Sequence, residues 1–256
     1  DQGTNTGAVA ATQKIMSAQE AVAFMIERST MVQAVDPIIK ENEIPTTSGA
    51  TADSINDLDN PWFFRMRVAD GGVATVFAKY LVDTLGCKKI AALYCADTFG
   101  EGGNTGTKAA LKELYDITPV TEQSYTAGTK DYTAQLLAIK SAGVDAIYAW
   151  GTNGEDNAII LRQFKELGLD QSMKFIGSAA YGSSVTLDLA LDNADGIYSV
   201  YDFAVSDTRP EFQSWYKAYK AEYPDTEPDF WCITTYDQVK LIADAAVRAG
   251  LVKKVG

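Results

Sequence analysis

A chain of 256 residues, 46% hydrophobic and 22% charged, is long enough for one large or two smaller α/β domains with a sizeable core. Its formal net charge of −12 and isoelectric point near 4.5 argue against nucleic acid and anionic membrane as partners, since both attract basic surfaces. The absence of histidine excludes Ser-His-Asp and Cys-His catalysis and histidine-ligated zinc, and no apolar run is long enough to span a bilayer.

The chain opens at Asp1 with no initiator Met and no signal peptide, as expected of a processed or truncated chain. Helical periodicity predicts a first helix over 6–16, and an apolar run predicts a strand over 21–26. Ser29-Thr30 follow that strand and read as an N-cap. Exposed amides with a hydroxyl form an anion site, with a plain structural cap as the alternative. A helix over 31–41 contains Pro37, which is expected to kink it. A short strand over 44–47 runs into the small-residue loop Ser48-Gly49-Ala50-Thr51. Residues 54–61 are polar and turn-rich. Trp62, Phe63 and Phe64 are expected in the core, ahead of a helix over 73–85 with Val73, Val76, Phe77, Tyr80 and Leu81 on one face.

From Lys88 a strand–helix pair recurs about every 30 residues. Strands over 89–95, 120–125 and 145–150 precede helices over 106–115, 132–141 and 158–167, the last stopped by Gly168. Strands over 174–177 and 196–201 end the block. Two helices remain, over 210–223 and 236–249, joined by the Pro- and acid-rich 224–229. Helix-only sequence after a strand block suggests a chain returning to complete an earlier domain. The alternation predicts parallel sheets wrapped by helices, which bind ligands at the carboxyl ends of their strands. Function is therefore expected in loops 27–30, 47–51, 96–100, 151–155 and 178–182.

The glycine-rich run 100–106 follows a strand and opens a helix. Its register does not fit G-x-G-x-x-G and no P-loop Lys-Ser/Thr follows, so it reads as a flexible helix start. Asp53, Asp57 and Asp59, and the pair Glu155-Asp156, lack calcium-loop spacing and read as solvated surface. Cys87, Cys95 and Cys232 are an odd set expected to be free buried thiols, because a Cys87–Cys95 bridge would have to join the two ends of one extended strand. Phe99, Tyr181, Phe230 and Trp231 lie in or near loops and are candidates for gripping a ligand.

A series of words along the chain carries a resemblance. They are Asp1-Gln2-Gly3, Ile44-Pro45 with Ser48-Gly49-Ala50-Thr51, Asn60-Pro61-Trp62-Phe63-Phe64-Arg65 and Lys89-Ile90-Ala91-Ala92-Leu93-Tyr94. Asp97-Thr98-Phe99-Gly100-Glu101-Gly102, Ala127-Gly128-Thr129-Lys130-Asp131-Tyr132, Ala142-Gly143-Val144-Asp145-Ala146-Ile147 and Lys165-Glu166-Leu167-Gly168-Leu169 continue it. In this order and spacing the chain resembles the leucine/isoleucine/valine-binding type of ABC-transporter solute-binding proteins. The resemblance implies an α/β type I periplasmic-binding fold: two Rossmann-like lobes with parallel sheets in a Venus-flytrap architecture. Residues 1–66 plus 203–256 would form lobe one and 67–202 lobe two. Family members extend beyond both ends, so the chain is expected to be truncated at both and lobe one to be incomplete. The missing start would carry a signal peptide or a lipid-anchored cysteine.

By the same resemblance, a ligand carboxylate is gripped at Ser29 and at Ala50 and Thr51, while Phe99, Thr152 and Asn153 contact it from lobe two. The family acid that receives a ligand ammonium falls at Ala179 or Ala180, and neither is acidic. Arg28 and Arg67 add guanidinium groups suited to a carboxylate, with pairing to neighbouring acids as their alternative role. Tyr181 is a further candidate contact, and Asp202 at the second crossover is a candidate counter-charge for an ammonium. The reading is an extracytoplasmic, non-enzymatic receptor, secreted or lipid-anchored. It needs no cofactor or metal and delivers a small polar, carboxylated solute to an ABC permease, without inserting in the membrane itself. A ligand-sensing domain of a signalling protein and a Rossmann-like enzyme are the alternatives.

Overall fold

The computed structural model describes residues 3–18 and 21–251. They separate into two compact units, 1–69 with 231–256 and 70–230. Residues 203–230, which the resemblance assigns to lobe one, group here with unit two. Aromatic contacts account for this, since Phe203 packs on Tyr201 and Phe212, and Phe230 meets Tyr201 edge-on. Asp1, Gln2, Gln19, Glu20 and 252–256 of the expected first lobe lie outside the described residues.

Unit one begins with α1 (Asn5–Ala18), β1 (Phe24–Ile26) and α2 (Ser29–Glu41). β2 (Thr46–Ser48), a 3-10 turn (Asp53–Leu58) and β3 (Phe63–Arg65) follow. The strands form one parallel sheet in the order β1-β2-β3, with Phe24 opposite Thr46 and Thr46 opposite Phe63. α2 buries Met31, Val35 and Ile39 against Ala8 of α1, and Val32 against Ala50, Ala52 and Ile55. Pro37 lies inside α2 without ending it. Phe64 is 49% exposed, contrary to its expected place in the core. Its neighbours Phe63 and Arg65 point to the other side of β3 because side chains alternate along a strand.

Unit two is built on a five-stranded parallel sheet. Its strands are β4 (Ile90–Cys95), β5 (Thr121–Tyr125), β6 (Ala146–Trp150), β7 (Lys174–Gly177) and β8 (Tyr198–Ser199), in the order β5-β4-β6-β7-β8. β6 is buried at every position, as a central parallel strand covered on both faces must be. Alternation divides the core accordingly. Ala91, Leu93, Cys95, Ile147 and Ala149 face one side with α5 (Thr133–Ser141) and α6 (Gly154–Glu166). Ile90, Ala92, Tyr148 and Trp150 face the other with α3 (Asp70–Lys79) and α4 (Thr98–Tyr115). α3 runs on into a π-helical turn (Tyr80–Thr84). α7 (Ser184–Ala190), which the periodicity did not single out, and α8 (Pro210–Glu222) complete the unit, and α9 (Phe230–Arg248) carries the chain back to unit one.

α4 starts eight residues before the expected position, which corrects the reading of the glycine run. Asp97 caps it, its side chain accepting from the Gly100 amide at 2.8 Å. Gly100, Gly103 and Gly106 are therefore close-packing sites inside the helix and not a flexible start, while a Cβ on Gly102 would meet nothing within 4 Å. A Cβ on Gly103 would stand 2.1 Å from the Trp150 ring. That indole is 1% exposed and pinned by its Nε1–H, which donates to Thr107 Oγ1 at 2.9 Å. Gly103→Ala should gain about 1 kcal/mol of helix propensity but meet an overpacking cost of about 1–3 kcal/mol or more. The buried ring cannot yield, so urea denaturation should show a net loss of stability. A variant as stable as the parent would contradict this account of α4.

Candidate functional site

In unit one, the loops after β1 and β2 meet at the carboxyl end of the sheet. α2 begins at Ser29, with Arg28 in the cap position and no side chain capping it. The expected Ser29 N-cap is thus corrected: its Oγ accepts a hydrogen bond from the Ala52 amide at 3.2 Å, across the two loops. Ala50 and Thr51 are buried between these elements. The Ala50 amide donates to Ser48 Oγ at 2.9 Å, while the Ser48 hydroxyl donates to the Ile26 carbonyl. Ser29, Ala50 and Thr51 are therefore brought together. Arg67 donates to the Gly49 carbonyl at 3.2 Å and lies over the Trp231 ring, so its guanidinium is engaged beside that loop. Arg28 is half-buried immediately before Ser29.

In unit two, the loops after β4 and β6 are joined by one side chain. Asp97 caps α4 and also accepts the Thr152 hydroxyl at 3.0 Å. Asn153 caps α6, its side-chain oxygen accepting from the Glu155 amide at 3.2 Å. Phe99 is half-buried with its ring edge-on to Trp150, centroids 5.3 Å apart. Phe99, Thr152 and Asn153 therefore cluster at the carboxyl ends of β4 and β6.

Three expectations are corrected here. Tyr181 is 0% exposed. It folds inward in the 3-10 turn Ala179–Gly182, against Phe175 and over Gly177, where a Cβ would lie 2.4 Å from its ring. Asp156 is 1% exposed and accepts from the Gly128 amide at 2.8 Å, so it is not solvated surface. Phe230 is buried at the start of α9 and is no exposed grip for a ligand. Asp202 is exposed and lies beyond β8. Among the described residues no disulfide joins the three cysteines; Cys87 and Cys95 are buried and Cys232 is half-buried. Burial pushes the Cys95 thiol up to about 12, assisted by the Asp97 charge, which leaves it protonated and a poor nucleophile. Among the described residues no cluster of histidine, cysteine or acidic side chains is suited to a metal.

Glu27, in the loop after β1, is a residue that sequence reasoning missed. α9 supplies its partner. Gln238, 0% exposed, donates to Glu27 Oε1 at 2.5 Å and accepts the Thr47 hydroxyl at 3.0 Å. Among the described residues, the buried Glu27 Oε2 has no donor in good hydrogen-bonding geometry. It sits so close to Gly49 that a Cβ there would stand 2.2 Å away. Burial raises the Glu27 pKa, and the Gln238 hydrogen bond, the Arg67 charge and the Gly49 amide oppose that rise. The sequence signal was weak, because a polar residue between a strand and a helix normally faces water.

A family model described as periplasmic binding protein matches residues 1–255. The Leu-, Ile-, Val-, Thr- and Ala-binding protein of Pseudomonas aeruginosa is 28% identical over 246 residues, 95% of this chain and 64% of that protein. The chain thus spans less than two thirds of that relative's length. Among solved structures, a leucine binding protein from Thermotoga maritima superimposes with a TM-score of 0.88 at 21% identity, covering 97% of this chain and 70% of that one. A solute binding protein of an ABC transporter from R. palustris, in complex with benzoate, gives 0.87 at 23% identity over 97% and 68% of the two chains.

The half-buried Glu27 sets a pH dependence of known sign. Its raised pKa means that the folded state holds this proton more tightly than the unfolded chain does. Stability therefore falls as pH rises from the ordinary glutamate value through the raised one, and this contribution is constant above it. Glu27→Gln removes the proton. Measured by denaturant titration between about pH 4 and about pH 7, the variant should gain stability relative to the parent with rising pH. A pH-independent difference between the two would show that Glu27 titrates normally.

Proposed function

The chain belongs to the periplasmic binding protein family, and from that premise we propose that it is an extracytoplasmic receptor that captures a small carboxylated solute for an ABC permease. The observation that carries the ligand class is the Ser29 hydroxyl. Its oxygen already accepts from the Ala52 amide, so its proton remains to be donated. A carboxylate seated against Ser29 and Thr51 would accept it, with the Arg28 guanidinium beside it for charge. A hydrogen bond to a charged group contributes about 1.5–3 kcal/mol.

The unit-two residues complement this chemistry. Thr152 donates its proton to Asp97, which leaves its hydroxyl oxygen to accept from the ligand. Phe99 offers an apolar face. The solute therefore combines a carboxylate with an apolar body and a hydrogen-bond donor, as an amino acid or a hydroxylated aromatic acid does. Alanine at positions 179 and 180, where the resemblance places an acid, favours a neutral donor, since a buried ammonium without a counter-charge costs several kcal/mol. Binding would work by closure, because only a state in which the ligand touches residues of both units gains all of these contacts. The permease partner and the extracytoplasmic location follow the family and belong to the same proposal.

Thermal unfolding against amino acids, aromatic and aliphatic carboxylates, amides and nucleotides tests the reading. A ligand at about a thousand times its Kd adds about 4 kcal/mol, or about 8–16 °C for a chain of this size. The expected hits are carboxylic acids, with their amides inactive. For the best hit, Ser29→Ala should weaken binding by about 10- to 100-fold, equivalent to the hydrogen bond lost, and Arg28→Ala should weaken it as well. A hit that binds both variants as tightly as the parent would refute the carboxylate assignment.

A further inference from the structure

One helix of unit two is apolar where it faces water. α7 buries only Thr186 and Ala190, which lie four residues apart on its inner side. Thr186 ties it down. Its hydroxyl donates to the Ala180 carbonyl at 2.6 Å, and its amide donates to the capping side chain of Ser183. Val185, Leu187 and Leu189 are exposed, and so is Leu191 just past the last turn. Four large apolar side chains within seven residues are thus left in water on a helix that buries two. Single exposed leucines are ordinary, but a run of this density marks an interaction surface.

Leu191 adds strain. Its backbone has φ 50° and ψ −136°, a conformation that glycine adopts at little cost and a residue with a Cβ does not. Leu191 is also 70% exposed, so burial within the fold does not account for a leucine there. Strain of this kind persists where function requires it. The rim of the patch is acidic. Asp188, Asp192 and Asp195 are exposed, and among the described residues none of their carboxylates forms a salt bridge. Lys165 of α6 donates to the Asp192 carbonyl and not to its carboxylate. That charge selects the occupant. A second copy seated symmetrically would set carboxylates against carboxylates, and the net charge of −12 opposes self-association as well.

We propose that α7 and Leu191 form a docking face for a basic amphipathic protein segment, one that presents apolar side chains flanked by lysine or arginine. Val185 and Leu189, four residues apart, share one side of the helix. Around the helix Asp188 stands between them and Leu187, and Leu191 lies beyond the helix end. The partner's apolar residues would cover these side chains while its cations meet Asp188, Asp192 and Asp195. The face is joined to a candidate ligand loop. A Cβ on Gly154 would stand 2.8 Å from Val185 Cγ1, so α7 lies against the start of α6, the helix that Asn153 caps. For a receptor the segment would belong to the permease. That consequence rests on the proposed function; the docking face itself does not.

The probe is a labelled synthetic helix of leucine and lysine with its leucines on one face, and its glutamate counterpart is the control. Fluorescence anisotropy with the whole chain should show binding of the lysine peptide that weakens with added salt, and none of the glutamate peptide. The double variant Leu187→Ser, Leu189→Ser should weaken binding at least about 10-fold, with a Tm within about 2 °C of the parent. Asp188→Lys with Asp192→Lys, which leaves the apolar residues in place, should weaken it as well. Leu191→Gly should weaken it and raise the Tm by about 2–4 °C, because the strain leaves with the side chain. No binding of the lysine peptide at about 1 mM, equal binding by either double variant, or equal binding of the glutamate peptide would overturn the proposal. So would dimerisation, or attachment to zwitterionic vesicles, that the serine variant abolishes, since the face would then belong to a second copy or to lipid. A fall in Tm for Leu191→Gly would overturn it too, by showing that the leucine serves the fold. Because none of these readouts uses the solute, failure here is separable from failure of the receptor reading.

Discussion

Every strand in both sheets runs parallel to its neighbours, and that constraint arranges everything else. A parallel pair cannot be closed by a tight hairpin, so each strand must be followed by a crossover that returns the chain to the other end of the sheet. All loops that follow strands therefore collect along one edge of each sheet. Ser29, Ala50 and Thr51 meet in unit one for this reason, although some twenty residues separate the first from the others, and Phe99 and Thr152 meet in unit two. The chemistry is carried by loops whose position is set by buried strands that take no part in it.

What holds those loops is polar, and most of it is made by residues that also serve as site candidates. Ser29 ties the first loop to the second through the Ala52 amide. Thr152 and Asp97 do the same between β4 and β6, and Asp97 and Asn153 each cap a helix as well. Each bond uses up part of a side chain and leaves the rest for a ligand. Ser29 keeps a proton to give, and Thr152 keeps lone pairs to accept. The directionality proposed for the solute comes from that accounting of donors and acceptors.

Charge is managed by burial and pairing together. Glu27, Gln238 and Thr47 form a chain of hydrogen bonds that locks α9 onto the end of the unit-one sheet, and Arg67 lies next to it on the Gly49 carbonyl. The two side chains that α9 buries between its ends are Thr234 and Gln238, so the helix docks through polar contacts more than through an apolar stripe. A glutamate held in this way is sensitive to proton concentration. A glutamine in its place would keep part of the geometry and lose that sensitivity.

By itself, the sequence determined the alternation of strand and helix, the parallel α/β class and the carboxyl-end loops, because these follow from periodicities that act over a few residues. The apolar runs that became β4, β6 and β7 needed no distant partner to be recognised. The series of short words also carried the family. Burial of polar groups was decided only by the tertiary structure. Asp156 and Tyr181 sit in stretches whose composition suggests surface or ligand contact, yet both lie in the core: the Tyr181 ring fits because Gly177 leaves room for it, and Asp156 is held by the Gly128 amide. Phe64 went the other way, to the exposed side of β3. Glu27 takes its environment from Gln238, 211 residues further along. Local pattern reports which side chains prefer to leave water, but whether a charge or a hydroxyl is enclosed depends on partners that only folding brings within reach.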